Sequence, residues 1–347
     1  MSKSILRRSV WCALTVALAA AAGHSSQSVA AQTVIPNDGP YKLTGNLGLS
    51  YVGTSHIFDP ASGHLYSSTR GGVFQFDTVS MKVTGRTPAV RGAGSMSFDA
   101  ARQELYVLAL HDDTMNVIDV TTQKIIRTFA APAWFNVFYE ASRGELYYLR
   151  GDTREVSVAD RQDGRVIKTL QLAGRPSFLE ADPAHHRLLV RLADKPLIQI
   201  IDTTEHAVTG SWPARQDGQS AMAIDPDGSR VFISAGRDVL MLDGASGKEL
   251  SRFSAGDPVL SIVYDPGTRL VAALCDTSHL NVAKVDGTSV KLLQSLNISG
   301  GVHELFLDPK SHTIFGITRL FDDGFMLGFT TVPASDAGST LLTLTLK

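Results

Sequence analysis

Residues 95–129 read SMSFDAARQELYVLALHDDTMNVIDVTTQKIIRTF, and they show the structural unit from which the chain is built. It contains four short runs of apolar and β-branched residues, separated by polar turns. Runs of this length and composition are typical of β-strands. We therefore expect four consecutive strands here, at Ser95–Phe98, Leu105–Leu110, Met115–Val120 and Lys124–Phe129.

The centre of this stretch, an acidic residue followed six positions later by an apolar pair, recurs along the chain. We call the acidic residue of each copy its anchor. Successive anchors stand 40, 41, 42, 43, 40 and 43 residues apart. The seven copies are Asp59 with Leu65-Tyr66, Asp99 with Leu105-Tyr106, Glu140 with Leu146-Tyr147, Asp182 with Leu188-Leu189, Asp225 with Val231-Phe232, Asp265 with Leu270-Val271 (one residue short) and Asp308 with Ile314-Phe315.

A repeat of about 40 to 45 residues that holds four short strands is typical of a β-propeller blade. Seven copies therefore predict an all-β fold, a seven-bladed β-propeller of four-stranded blades. Each blade would pack only on its two neighbours, so residues 32–347 are predicted to form one domain despite their length.

The first 31 residues have the pattern of an export signal. Lys3, Arg7 and Arg8 give a basic start, residues 10–22 form an apolar run, and Val29-Ala30-Ala31 is a small-residue cleavage site. The apolar run is shorter than the roughly 20 residues that span a bilayer. We expect residues 1–31 to be removed and the mature protein to be periplasmic or secreted, with no membrane span.

The composition of the mature chain argues against a nucleic-acid partner and against an internal disulfide. Removing residues 1–31 takes three basic and no acidic residues from totals of 32 and 34, which leaves 29 against 34, a formal charge of about −5. No cluster of Lys and Arg is visible, so nucleic acid is not an expected partner. Cys275 is the one cysteine of the mature chain and cannot form an internal disulfide.

A second aspartate recurs at the end of the third strand of each repeat except the last. A short carboxylate in this place can accept hydrogen bonds from the amides of the following turn. We interpret this row, and the anchors, as structural. The row consists of Asp77, Asp119, Asp160, Asp202, Asp243 and Asp286.

The sequence motifs of the repeats resemble those of the YVTN-repeat family of secreted bacterial seven-bladed β-propellers. The resemblance lies in Leu105-Tyr106-Val107, in Val117-Ile118-Asp119, in residues 200–203 (IIDT) and in residues 225–228 (DPDG). It implies a propeller with a binding or assembly role, and it brings no fixed set of catalytic residues.

The sequence leaves two ways to close the ring. Residues 325–332 and 341–347 could be the third and fourth strands of the last blade. Alternatively, Tyr41–Leu49 could dock on the last blade as its fourth strand and so latch the two chain ends together. We favour the latch.

Candidate site residues lie on one predicted face of the ring. Because strand direction alternates, the loops between second and third strands share a face with the loops that lead into each blade. We call this the loop-rich face. It could be an ordinary solvated rim or a binding site, since loops on a rigid scaffold often carry function. Its candidate residues are Arg70, His111, Trp134, Phe135, Arg154, Arg237, His279, His303 and Arg319.

Two features of this set, and one residue outside it, allow more than one interpretation. Trp134-Phe135 could anchor a partner or could be a plug between blades. The histidines come from separate blades without metal-binding spacing, so neither a metal nor a cofactor is predicted. His56 stands in a row that is otherwise apolar and could be a core histidine or could face the central channel.

Two functions follow from these patterns. The first is an exported scaffold that binds a protein partner or a small polar ligand on the loop-rich face. The alternative is a propeller enzyme, either a lactonase-like hydrolase using His303, Glu304 and Arg319 or a quinone-cofactor dehydrogenase. The mature chain offers the latter only Trp134 and Trp212 as a platform. The sequence therefore predicts binding rather than catalysis.

Overall fold

The computed structural model describes residues 39–49, 55–69, 72–87, 90–131, 136–150, 152–215, 221–277, 279–298, 302–318 and 339–347. In these ranges the chain forms seven four-stranded antiparallel sheets. The sheets are the blades of a ring, which confirms the seven-bladed β-propeller. One turn of 3-10 helix, Pro183–His185, interrupts the strands.

Six blades are continuous in the chain, and their strands run outward in sequence order. Blade 1 comprises β2 (Ser55–Asp59), β3 (His64–Thr69), β4 (Gly72–Asp77) and β5 (Lys82–Arg86). Blade 2 comprises β6 (Ala93–Asp99), β7 (Glu104–Ala109), β8 (Thr114–Asp119) and β9 (Lys124–Ala130). Blade 3 comprises β10 (Asn136–Glu140), β11 (Glu145–Leu149), β12 (Glu155–Asp160) and β13 (Val166–Gln171).

Blade 4 comprises β14 (Pro176–Asp182), β15 (Arg187–Leu192), β16 (Leu197–Asp202) and β17 (Ala207–Pro213). Blade 5 comprises β18 (Met222–Ile224), β19 (Arg230–Ala235), β20 (Asp238–Asp243) and β21 (Glu249–Ser254). Blade 6 comprises β22 (Val259–Asp265), β23 (Leu270–Cys275), β24 (His279–Asp286) and β25 (Ser289–Asn297).

Blade 7 is assembled from both ends of the chain. Its strands are β26 (Val302–Asp308), β27 (Thr313–Thr318), β28 (Ser339–Leu346) and β1 (Tyr41–Leu49), in that order from the centre. The N-terminal strand is therefore the outermost strand, and the latch is confirmed. The other closure is wrong in one respect, since residues 341–347 belong to the third strand and not the fourth; residues 325–332 lie outside the described ranges.

Burial within a blade follows the position of each strand. Every residue of β7 is buried, because both faces of this strand pack against neighbouring blades. The outermost strand β9 alternates between exposed and partly buried residues. This is the pattern of a sheet edge with one solvated face.

Adjacent blades share their cores. Tyr106 of blade 2 stacks on Tyr139 of blade 3 with ring centroids 5.3 Å apart. Phe58 of blade 1 contacts Phe315 of blade 7 at 5.8 Å, so the first and last blades are neighbours. The apolar layers between blades therefore continue around the ring.

Five of the six third-strand aspartates accept turn amides through their carboxylates, as the sequence predicted; at Asp286 the backbone carbonyl binds the turn instead. Asp119 accepts the amide of Thr122 at 2.7 Å, and Asp202 accepts the amides of Thr204 and Glu205 at 2.8 Å. The anchors act in the first turn, where buried Asp99 accepts the amides of Ala101 and Arg102. Both rows are part of the scaffold.

Candidate functional site

The two kinds of loop meet on one face of the ring, as expected. Arg91, in the loop leading into blade 2, contacts Asp112 of the loop between the second and third strands of that blade at 3.4 Å. In blade 6, the Thr277 hydroxyl donates a hydrogen bond to Asp257 at 2.7 Å. These contacts define the loop-rich face in the structure.

Asp194 organises the loop-rich face at blades 3 and 4. It accepts the amide of Arg175 at 2.7 Å, and the guanidinium groups of Arg154 and Arg175 lie 3.6 and 3.9 Å away. Burial opposes its ionisation, but the amide bond and the two cations outweigh burial and hold the pKa of Asp194 below its ordinary range. Arg154 is therefore held in a local ion-pair network.

The structure places five of the predicted site residues. Four are on the rim: His111 and Arg237 are exposed, His279 lies 3.1 Å from the Thr277 hydroxyl, and Arg154 is paired with Asp194. The fifth, His303, is exposed and lines the central channel. Arg70, Trp134, Phe135 and Arg319 lie outside the described residues.

A cavity of about 650 Å³ occupies the central channel. We call it the central cavity. Leu110 lies in the loop after β7, and His303 is near the start of β26, beside the loop that leads into blade 7, so the cavity lies at the loop-rich end of the channel. Its lining residues are Ser55, Gly94, Ser95, Met96, Leu110, Asn136, Phe178, Glu180, Ala221, Met222, Leu260, Ser261, Ile262, His303, Glu304 and Leu305.

One position of the repeat supplies a complete ring of this lining. The residue four places before each anchor lines the cavity in all seven blades. Four of these residues have a hydroxyl or amide side chain and one is acidic, although the innermost strands are otherwise mainly apolar. The ring consists of Ser55, Ser95, Asn136, Phe178, Ala221, Ser261 and Glu304.

Some of these polar side chains bind the edge of the neighbouring innermost strand. The hydroxyl of Ser95 accepts the Val137 amide at 3.2 Å, and that of Ser261 accepts the Leu305 amide at 3.1 Å. The free edge of an innermost strand faces the channel, so its amides need partners outside their own sheet. The serines therefore join consecutive blades as well as lining the cavity.

Glu304 makes the corresponding contact between the last blade and the first. Its Oε2 lies 2.9 Å from Nδ1 of His56, whose side chain is almost fully buried. The sequence left open whether His56 is a core histidine or faces the central channel, and the structure shows a core histidine. The imidazole is buried and hydrogen-bonded, and it orients a carboxylate that lines the cavity.

Glu180 lies on β14 and presents the second carboxylate of the cavity. Burial raises the pKa of Glu180 to about 8. The cause is desolvation: in other blades the same place, two residues before the anchor, is mostly apolar, as with Ile57, Phe138 and Phe306. At neutral pH this side chain is mainly the uncharged acid, which can both donate and accept hydrogen bonds.

Glu180 was not among the predicted site residues, although the sequence contains a signal for it. An acidic residue in a row that is otherwise mostly apolar is the same kind of departure that singled out His56. Aligning the seven repeats at the anchor shows it directly. The predicted site residues came from loops, whereas Glu180 lies on an innermost strand.

A second opening lies at the other end of the channel and differs in chemistry. It is a shallow basin of about 390 Å³. Phe58 and Phe306 form part of its lining, and prolines that follow four of the anchors form part of its edge. The lining of this basin is largely apolar, whereas the polar lining residues lie at the loop-rich end.

Three further properties of the described residues bear on function. Among them, no three His, Cys, Asp or Glu side chains converge in a way that could hold a metal ion. Cys275 is buried, and burial raises the pKa of its thiol to about 11. In the part of the chain that the structure describes, no helix has the length and apolarity to cross a bilayer.

Comparison with known sequences gives a distant bacterial relationship. No family model matches the chain. Over 175 residues it is 25% identical to the proteins named "Uncharacterized protein YncE" of Salmonella typhi and of Salmonella typhimurium. The match covers 49% of this chain and 46% of each of those proteins, so it spans less than half of their length.

Solved structures share the architecture at low sequence identity. A chain of Kuenenia stuttgartiensis hydrazine synthase is 13% identical with a TM-score of 0.65, and the match covers 84% of this chain and 96% of that one. A chain of a mitotic checkpoint complex is 13% identical with a TM-score of 0.68, covering 96% and 99%. The RRP9 WD40 repeats are 12% identical with a TM-score of 0.68, covering 90% and 99%. At this identity the likeness shows the propeller fold alone.

Proposed function

We propose that this protein is an exported binding protein that takes a small polar ligand into the central cavity from the loop-rich face. The observation that carries the proposal is the cavity itself, about 650 Å³ in volume with hydroxyl, amide, imidazole and carboxyl groups directed around it. A concave site with a few convergent polar groups on a rigid frame is the usual form of a small-molecule site.

Export and family membership are part of the same proposal. Residues 1–31 have the basic, apolar and small-residue order of an export signal, which favours a periplasmic or secreted protein. The sequence motifs of the repeats, together with the similarity to YncE, favour membership of the YVTN-repeat family.

The alternative from the sequence, an enzyme of the lactonase or quinone-cofactor type, has less support. A lactonase-like cluster would need Glu304 to act on a substrate, but its carboxylate is engaged by His56 at 2.9 Å. Trp212, one of the two tryptophans of the mature chain, is buried beneath the Arg187 guanidinium and is not on the channel. These contacts favour binding over catalysis.

The proposal can be tested by closing the mouth of the cavity. We expect a library of small polar compounds to include members that raise the melting temperature of the mature chain, and His303→Trp to abolish that effect. His111→Trp is the matched control, because His111 is exposed on the same face but does not line the cavity. Ligand binding that survives His303→Trp would contradict the proposal. Loss of binding to a protein partner in both variants would favour recognition across the whole face.

A further inference from the structure

The charge of the central cavity is one-sided. Its carboxylates come from opposite sides of the ring, Glu180 from blade 4 and Glu304 from blade 7. Among the described residues that line it, none is Lys or Arg, and His303, which is exposed at the mouth, is the one that can carry a positive charge. The described lining therefore contains no fixed cation.

Glu180 differs from the buried glutamates in two ways: it is only partly buried, and no described residue pairs with its carboxyl. Glu104 is paired with Arg127 at 2.7 Å, Glu145 with His206 at 2.7 Å, and Glu140 accepts turn amides. Glu180 instead lines the central cavity, so its carboxyl is accessible to a group inside the cavity.

The charged residues on the elements packed against β14 are occupied elsewhere. On β15, Arg187 is bound to Asp182 at 2.7 Å, and Arg191 donates to the carbonyl of Ser234 at 2.9 Å. The short strand β18 has no charged residue, and Asp225, which follows it, is paired with Arg230. No charged group of these elements is therefore available to Glu180, in agreement with burial being the cause of its raised pKa.

The rest of the lining suits an organic cation. Phe178, two residues before Glu180, lines the same cavity and offers an aromatic face, to which cations are attracted. Met96 and Met222 provide apolar surface for a carbon skeleton. Within the described lining, an anionic ligand would meet the Glu304 carboxylate and the Glu180 carboxyl but no Lys or Arg, which penalises its binding.

We infer that the central cavity binds an organic amine, with the ammonium group held by the Glu180 carboxylate and the carbon skeleton against Phe178. This inference rests on the proposed function and specifies its class of ligand. On binding, Glu180 gives up its proton and the ammonium donates charge-assisted hydrogen bonds to the carboxylate.

The test uses three four-carbon probes of different charge, 1,4-diaminobutane, 1,4-butanediol and succinate, titrated into the mature chain by calorimetry. We expect measurable binding of the diamine, and at least about tenfold weaker binding of the diol and of succinate. Diamine binding should release protons into the buffer. Its affinity should also increase as the pH rises from about 6 to about 9, because Glu180 becomes ionised while the amine stays protonated.

Glu180→Gln should weaken diamine binding at least about tenfold and remove its pH dependence. Glu205→Gln is the matched control, because Glu205 is an exposed glutamate of the same blade, away from the cavity. Its substitution should change neither property. A diol that binds as tightly as the diamine, or a diamine affinity unchanged by Glu180→Gln, would overturn the inference while leaving the proposed function intact. The absence of diamine binding would overturn the inference too, and the polar library would then judge the proposed function separately.

Discussion

His56 Nδ1 lies 2.9 Å from Glu304 Oε2, which joins the innermost strands of the first and last blades across 248 residues of sequence. In the neighbouring pair, blades 6 and 7, the equivalent connection is a serine hydroxyl bound to a backbone amide. The ring closes here with a side-chain pair instead, and the carboxylate of that pair lines the central cavity.

Replacing His56 with Met, the residue at the same place in blades 2 and 5, should lower the free energy of unfolding by about 1–3 kcal/mol, because Glu304 loses its partner. The double variant His56→Met, Glu304→Ser restores the chemistry found between blades 6 and 7, so it should lose less than the sum of the two single changes. Denaturant unfolding measures the free energy of unfolding of the two single variants and of the double variant. Additive losses would show that the two side chains are not coupled.

Gln294 holds the latch strand against blade 6. Its amide group accepts the Tyr41 N–H at 3.0 Å and donates to the Tyr41 carbonyl at 2.8 Å, and Gln294 is fully buried. Gln294→Leu should therefore lower the free energy of unfolding by about 2–4 kcal/mol, since two backbone groups lose their partners. Hydrogen exchange should speed up first in β1 and β28. The control Gln171→Leu, which removes an exposed hydrogen bond, should change stability by less than about 0.5 kcal/mol.

Asp119 tests the structural role of the third-strand aspartates. The Thr122 amide holds the pKa of Asp119 below its ordinary range. The stabilisation is therefore present above about pH 4 and lost as the pH falls through the lowered pKa. Asp119→Ala should cost about 1 kcal/mol at neutral pH, because water can reach the freed amides.

Asp286 provides the comparison for Asp119, because it occupies the same place in blade 6 and is exposed. There the backbone carbonyl of Asp286, and not its carboxylate, binds the turn by accepting a hydrogen bond from the Ser289 hydroxyl. Asp286→Ala should be nearly neutral. An equal loss of stability in the two variants would show that the carboxylate bonds to the turn amides are not the cause, and so would falsify this account of the row.

The repeats predicted the scaffold because it depends on local patterns that occur seven times. In blade 2 the predicted strands agree with β6 to β9 to within two residues. The shared face of the two kinds of loop was also predicted, since it follows from strand direction alone, and the contact between the Arg175 amide and Asp194 confirms it.

The site was harder to predict because it depends on single departures from the repeat. Glu180 and His56 each occupy a position where other blades mostly have apolar residues. Their surroundings come from adjacent blades and from the width of the channel, neither of which one repeat encodes. Position in the repeat was readable from the sequence, but the pairing of Glu304 with His56 and the lack of a partner for Glu180 were not.

The role of Trp134 as a binding anchor stays a prediction from the sequence. Trp134 stands two residues before Asn136, which lines the central cavity. We expect Trp134→Ala to weaken ligand binding by about 2 kcal/mol and to leave the melting temperature nearly unchanged, as for an interface anchor. Trp212→Ala is the reference for a buried ring and should lower stability by about 3–5 kcal/mol. A stability loss of that size at Trp134 would identify it as a plug between blades.

Glu180 should make the stability of the whole propeller fall as the pH rises. Burial raises the pKa of the folded state to about 8, whereas an unfolded chain has the ordinary glutamate value of about 4.3. The neutral form is favoured in the fold, so the contribution of Glu180 to stability is fully present below about pH 4 and is lost as the pH rises to about 8. Each unit of pKa difference corresponds to about 1.4 kcal/mol, and partial hydration from the cavity reduces the total, so we expect a loss of at least about 2 kcal/mol.

Glu180→Gln cannot ionise and should escape this loss of stability, whereas Glu205→Gln should follow the wild type. Denaturant unfolding at about pH 5 and about pH 8 distinguishes them, and parallel behaviour of wild type and Glu180→Gln would mean that the carboxyl is well solvated and ionised in the channel.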